Sequence, residues 1–254
     1  MITCSYFTNT GKTRKNNEDS LLIGNQVYSS ISMSNSVKME FVDNSPLLFC
    51  VADGVGGNTG GEIASHEVLG FICDQVINYL ADDIPKIIEN AKFHLDDLVQ
   101  EDRSLLNFGT TLAGILFNDK GFSVFNCGDS RVYRLNDVFF ERVSQDHSVV
   151  EDLFSQGIIS EDEMRIHHKK NIITSGIFGD TTSQKPDIFI KRFSPRKEEF
   201  LFICTDGVWE TIPIEDFEKL YLKYGVDNFA DVVLNECLVK NSTDNLTLIM
   251  LHVS

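Results

Sequence analysis

Short apolar runs separated by polar breaks dominate the chain. Runs rich in β-branched and aromatic residues recur at 20–23, 46–52, 110–117, 122–127, 131–135, 138–143, 188–193, 200–204 and 246–253, and each predicts a strand. Polar turns such as Asn118-Asp119-Lys120-Gly121 and Asn136-Asp137 join several of them, which is the connection of an antiparallel meander. A second period sits between the strands. Ile84, Ile87, Ile88, Ala91, Leu95 and Leu98 step by threes and fours, predicting a helix with one apolar stripe and with Lys86, Glu89, Lys92, Asp96 and Asp97 outside it. Residues 61–80 predict its partner helix, and 214–224 and 229–239 two more. The polar, serine-rich stretch 28–40 is expected to be a loop. Residues 148–179 form a longer segment of short helices, one of them opened by a capping box at Ser160-x-x-Glu163. Helices and strands are grouped and do not alternate, so the fold class is α+β, with sheets covered by helices.

Length adds one constraint: 254 residues at 42% hydrophobic content can bury a large core, so 1–254 is expected to be a single domain. Charge adds more. Lys+Arg 22 against Asp+Glu 38 gives a net charge of -16, which disfavours nucleic acid and anionic membrane surfaces and leaves acid groups free to hold cations. The six cysteines, Cys4, Cys50, Cys73, Cys127, Cys204 and Cys237, lie far apart with no Cys-x-x-Cys, and are expected to be reduced core residues. The chain opens with no basic-then-apolar leader and contains no apolar run near the roughly 18 residues of a membrane span, so a cytoplasmic protein is expected.

The chemistry lies in where the acids fall. Glu18 and Asp19 precede the run 20–23; Asp53 follows 46–52; Asp129 follows 122–127; Asp206 follows 200–204; Asp244 precedes 246–253. Strand ends are where distant segments meet. Asp53-Gly54, Gly128-Asp129 and Asp206-Gly207 each set a glycine beside the acid, allowing tight turns and, at Gly54, a carbonyl close enough to ligate. One Asp-Gly alone is ordinary turn chemistry; acids at five such places are more than that. Converging carboxylates repel, and hard divalent cations with oxygen ligands, Mg²⁺ or Mn²⁺, are the natural compensation. Zinc is disfavoured because no histidine pair has ligand spacing: His66 has no partner at position 70, and His167 and His168 are adjacent. A P-loop fails because Tyr6 stands where Gly11-Lys12-Thr13 would need its glycine, and a dinucleotide fingerprint fails because Thr59 occupies the third glycine position.

Together these segments resemble the protein phosphatase 2C family, in its bacterial type. Arg14-Lys-Asn-Asn-Glu18-Asp19, Asp53-Gly54-Val55-Gly56-Gly57, Gly109-Thr110-Thr111, Gly128-Asp129-Ser130-Arg131, Thr205-Asp206-Gly207-Val208-Trp209 and Asp244-Asn245 resemble its motifs, in order, over nearly the whole chain. The resemblance implies an antiparallel β-sandwich flanked by helices on both faces, and a site for two, possibly three, Mg²⁺ or Mn²⁺ ions at one end. It implies hydrolysis of phosphoserine and phosphothreonine by a water bridging two metals, with no phosphoenzyme. By the same resemblance Asp53 bridges the ions, Glu18 and the Gly54 carbonyl complete one coordination sphere, Asp206 and Asp244 the other, and Asp129 holds a third ion. Asp19 and Asn245 support the ligands from behind, and Arg14 clamps the phosphate. Related eukaryotic chains often carry a histidine where this one has Val55. Protonation of the leaving group therefore falls to a metal-bound water or to His167 or His168 of the 148–179 segment, which resembles the family's substrate-recognising flap. Trp209 is expected to pack under the site, and Ser130 and Arg131 to brace Asp129. The implied partner is a phosphorylated protein, opposing a serine/threonine kinase, and the chain is expected to be a monomer. A catalytically dead binding domain would show a substituted metal carboxylate, and none is substituted. An enzyme acting on small phosphate esters would share every motif and differ only in kinetics.

Overall fold

The computed structural model describes residues 1–42, 46–56, 60–78, 83–194, 196 and 198–254. Gly57, Thr59 and the last residues of the helix expected over 61–80 lie outside them. The first half of the chain runs β1 (Ile2–Asn9), β2 (Ser20–Ile23), β3 (Gln26–Ser29), β4 (Val37–Phe41), β5 (Leu47–Ala52), β6 (Gly54–Val55), α1 (Gly60–Cys73), α2 (Ile84–Glu101), β7 (Phe108–Thr110), β8 (Leu112–Asn118) and β9 (Gly121–Cys127). Then follow β10 (Arg131–Asn136), β11 (Phe139–Arg142), α3 (Val149–Ser155), α4 (Glu161–Ile166), β12 (Ile177–Gly179), β13 (Phe189–Phe193), β14 (Glu199–Cys204), α5 (Asp206–Trp209), α6 (Ile214–Val239) and β15 (Leu246–Val253).

Two six-stranded sheets carry the fold, ordered β11-β10-β14-β15-β1-β4 and β13-β9-β8-β5-β2-β3. The ladders within them are antiparallel, and the first and last strands pair along their whole length from Ile2 with Val253 to Asn9 with Leu246. Side chains alternate across each strand, so one strand serves two cores. Leu47, Phe49 and Val51 of β5 meet Leu201, Ile203, Ile249 and Leu251 between the sheets. Leu48, Cys50 and Ala52 point the other way, onto α1 and α2 through Ala64, Val68, Leu69, Ile87, Ile88 and Leu95. Phe200, Phe202, Leu248 and Met250 likewise pack outward on α6 through Phe217, Phe229 and Val233. Three stacked cores define four layers, α-β-β-α, as expected. Burial on both faces is also why β5, β14 and β15 read as unbroken apolar runs.

Several expectations need correcting. The stretch 28–40 is not all loop: it contains the end of β3 and most of β4, edge strands whose half-exposed faces leave little apolar signal. β1 gave no signal either, since Thr3 and Ser5 interrupt its buried Ile2, Cys4 and Tyr6. The run 110–117 breaks at Thr111, where β7 leaves for a small sheet of order β12-β7-β6. The helices expected at 214–224 and 229–239 form as the two segments of α6, which meet at a kink at Gly225, whose φ of 71° and ψ of 176° are not helical. Lys92 and Asp96 do not lie outside α2: both are buried, with Lys92 Nζ 2.8 Å from Asp180 and Asp96 taking the Thr181 amide at 2.9 Å. The Ser160–Glu163 capping box forms as expected. All six cysteines are free, and all but the half-buried Cys73 are buried. Among the described residues no helix is long and apolar enough to cross a membrane.

Candidate metal centre

The six motif segments end at the same edge of the sandwich. β2 starts just after Asp19, β5 stops just before Asp53, β9 just before the Gly128-Asp129 turn and β14 just before Asp206, while β15 starts just after Asp244. The β5–β2 and β14–β15 ladders match Ala52 with Ser20 and Cys204 with Leu248, which carries these acids to one rim. Two tiers result. Glu18, Asp53, Asp206 and Asp244 are half-buried and face solvent, whereas Asp19, Asp129 and Asn245 are buried behind them.

Glycines allow the rim to close. A side chain on Gly54 would bring a Cβ within 2.1 Å of the Gly61 carbonyl oxygen and 2.7 Å of that of Glu18. The Gly54 carbonyl and the Glu18 carboxyl carbon both stand about 3 Å from the point a Cβ of Gly61 would occupy, at 2.8 and 3.1 Å, so the two groups share one small space. Asn245 ties the loop to the sheet: its Oδ1 accepts the Glu18 amide at 2.9 Å, and its Nδ2 donates to the Thr10 and Asn16 carbonyls, each at 3.0 Å. The Asp19 carboxylate accepts the Thr205 hydroxyl at 2.9 Å, linking the segment before β2 to the Asp206 turn. Thr111 Oγ1 accepts the Asp53 amide at 3.2 Å and lies 2.8 Å from Ser130 Oγ, joining Asp53 to the Asp129 turn.

The acids feel one another. Burial, then the charges of Asp206, Asp19, Asp244 and Asp129, push the Asp53 carboxyl well above the usual carboxylate range. Burial followed by Asp206 and Asp146 does the same to Asp129. Asp206 is pushed up to about 6 by burial, Asp244 and Glu210, and Asp19 to about 7 by burial with Asp206 and Asp244. Glu18 rises through burial and its neighbours Asp244 and Glu62, although Arg14 opposes the rise. Arg14 is the cation paired with the rim, its guanidinium 2.7 Å from Asp244. Among the described residues no group of three or more His, Cys, Asp or Glu side chains is placed to hold a metal ion. The donor set fits hard divalent cations nonetheless: it is all oxygen, and burial plus mutual repulsion leave a charge deficit that a cation would relieve.

His167 and His168 sit at the end of α4 with their rings 4.4 Å apart, and His167 accepts the Lys169 amide at 3.2 Å. The flap reaches the site through neighbouring residues. Arg165 donates to the Trp209 carbonyl at 2.8 Å, and Lys170 pairs with Glu210, whose charge bears on Asp206. Trp209 is buried, as expected, donating its indole N–H to the Asp129 carbonyl at 3.0 Å, while the Arg131 guanidinium lies 3.4 Å over its ring. Sequence reasoning missed Glu62, Glu210 and Asp146, since helical acids and an Asp-His dipeptide look like ordinary surface residues before the chain folds.

These features define a two-sheet sandwich protein with a rim of oxygen-bearing acids at one end. The sequence model of the protein phosphatase 2C family matches residues 36–247, and the chain belongs to that family. It is similar to the serine/threonine phosphatase Stp of Listeria monocytogenes, 26% identical over 96% of this chain and 93% of that one. Among solved structures it is similar to the serine/threonine phosphatase Stp1 of Staphylococcus aureus, with a TM-score of 0.79 at 28% identity, covering 100% of this chain and 96% of that one. The catalytic domain of the phosphatase PstP in complex with two manganese ions shares the fold, with a TM-score of 0.76 at 22% identity over the whole of both chains.

Proposed function

We propose that this chain is a Mg²⁺- or Mn²⁺-dependent protein serine/threonine phosphatase. The observation that carries the reading is the meeting of acids from five separate segments at one rim with too little protein cation to balance them. Asp53, at the centre of that field, would hold the ions together with Glu18, the Gly54 carbonyl, Asp206 and Asp244, and Asp129 would serve a further ion. Bound there, the ions supply a nucleophile at neutral pH and offset charge on the phosphoryl oxygens. The side chains do the rest. Arg14, exposed at the cleft edge, grips the substrate phosphate through its planar fork. Asn245 and Asp19 keep the Glu18 and Asp206 segments in register. Val55 offers no acid beside Gly54, so the leaving alkoxide takes its proton from a water of the metal site or from His167 or His168 of the flap. Residues 1–254 act as one catalytic domain whose 148–179 flap contacts protein substrate. The enzyme works as a cytoplasmic monomer opposing a serine/threonine kinase in signalling.

The test is phosphate release from a phosphothreonine peptide. Turnover should require Mn²⁺, stop with EDTA, and fall by about 10³-fold or more in Asp53→Asn and Asp206→Asn, the several kcal/mol a catalytic metal supplies. Arg14→Ala should lower kcat/KM by roughly 10- to 100-fold, the value of a charge-assisted hydrogen bond pair. Equal turnover of small aryl phosphates and phosphopeptides would move the reading to a small-ester hydrolase.

A further inference from the structure

The turn that carries Asp129 cannot hold itself in place. Gly128 has a φ of +110°, and a Cβ there would lie 2.6 Å from Thr111 Cβ, so the position is confined to glycine and has no side chain with which to brace the turn. Clamps come from elsewhere. The Trp209 indole holds the Asp129 carbonyl, and Ser130 Oγ is tied to Thr111. His147 grips Gly128 from both sides: the His147 amide donates to the Gly128 carbonyl at 2.8 Å, where Asn126 Nδ2 also donates at 3.3 Å, and the Gly128 amide donates to His147 Nδ1 at 3.1 Å. A backbone amide can only donate, so Nδ1 is the bare nitrogen and the proton of the neutral ring sits on Nε2. The His147 carbonyl, in turn, accepts the Thr174 amide at 2.8 Å, and Ser148 bridges Ile173, so His147 stands at the root of the flap.

We propose that His147 is a positioning residue for Asp129: its bare Nδ1 fixes the Gly128 amide, and through it the Asp129 carboxylate, setting the affinity of that part of the cleft for a divalent ion. The inference rests on the metal-dependent phosphatase reading. Asp129 is buried and within the field of Asp206, so a small displacement of the turn changes the spacing of two acids that an ion would have to satisfy together. His147 is half-exposed and meets the turn through the Gly128 backbone.

Two substitutions separate this role from the alternatives. In His147→Asn the side-chain oxygen falls where Nδ1 was and can still accept the Gly128 amide; in His147→Gln the amide group falls where Nε2 was and cannot. Trp209 is the only tryptophan and rests on the Asp129 carbonyl, so quenching of its fluorescence by Mn²⁺ reports ion binding at this turn without substrate. His147→Asn should titrate within about threefold of wild type, and His147→Gln should need roughly tenfold or more Mn²⁺, the usual penalty for losing a residue that orients a metal ligand. The Mn²⁺ concentration giving half-maximal turnover should rank the same way, with kcat at saturating Mn²⁺ changed less. Equal shifts in both variants, a wild-type titration in His147→Gln, or no quenching in the wild type would overturn the proposal. A wild type that binds Mn²⁺ but releases no phosphate would sink the phosphatase reading while leaving the fluorescence comparison intact.

Discussion

Two groups of buried acids in this molecule have opposite fates. Beneath the flap, Asp146 takes a bidentate grip from Arg131, at 2.9 and 2.6 Å to one carboxylate oxygen and 3.1 Å to the other, with Arg142 3.3 Å away and also holding Glu151 at 2.8 Å. In α2 and the segment after β12, Asp96 and Asp180 share the buried Lys92. At the rim, Asp53, Asp206, Asp129 and Asp19 lie in one another's fields with Arg14 paired only to Asp244. The first group has its cations as folded, although one carboxylate oxygen of Glu151 is buried with no hydrogen-bond partner. The second needs cations from outside, and that difference, more than acidity itself, separates a structural carboxylate from a functional one.

Removing acids should therefore have opposite effects in the two groups. Asp146→Ala leaves the largely buried Arg131 without its carboxylate, while Arg142 keeps Glu151, and should destabilise the fold by about 3–5 kcal/mol in urea unfolding. Asp206→Asn, in EDTA, removes one of several repelling charges and should raise Tm while abolishing turnover. A fall in Tm for both would erase the distinction. Proton linkage sharpens it further. Asp206 and Asp19 have folded-state values of about 6 and 7, above the ordinary 3.8, so the folded metal-free chain binds more protons than the unfolded one across that window. Their contribution is present below 3.8 and lost as pH rises to about 7, so metal-free stability should fall over that range, and saturating Mn²⁺ should flatten or reverse the slope. Stability that rises with pH in EDTA would contradict the assignment. The smallest effect is expected far from both groups: Ser160→Ala removes the capping box of α4 and should weaken the flap helix by about 1 kcal/mol, visible as faster amide exchange over 161–166 with Mn²⁺ affinity unchanged.

The fold was legible wherever both faces of a strand are buried. β2 and β15 match their apolar runs end to end, because the period-2 pattern collapses into a continuous run when helices cover the outer face. It was illegible where one face is polar, as in β1, or where the strand is an edge, as in β3 and β4. At the site, the Asp-Gly pairs and their position at strand ends were readable because tight turns beside acids demand glycine, as the 2.0 Å approach of a Gly207 Cβ to the Asn245 carbonyl oxygen shows. Lys92 was misread because helical periodicity places it off the apolar stripe, and only the return of the chain at Asp180 covers that face of the helix.

The sequence by itself determined the class of fold, the order of the motifs and the kind of ligand they suit, since local spacing and residue chemistry carry those. Tertiary structure alone decided which acids are balanced by Arg131, Arg142 and Lys92 and which are left to gather at the rim. It also decided that His147, and neither His167 nor His168, touches the Asp129 turn. Charge balance and hydrogen-bond partnership are properties of distance in space, and residues 19 to 235 positions apart meet here only because two sheets end at the same edge.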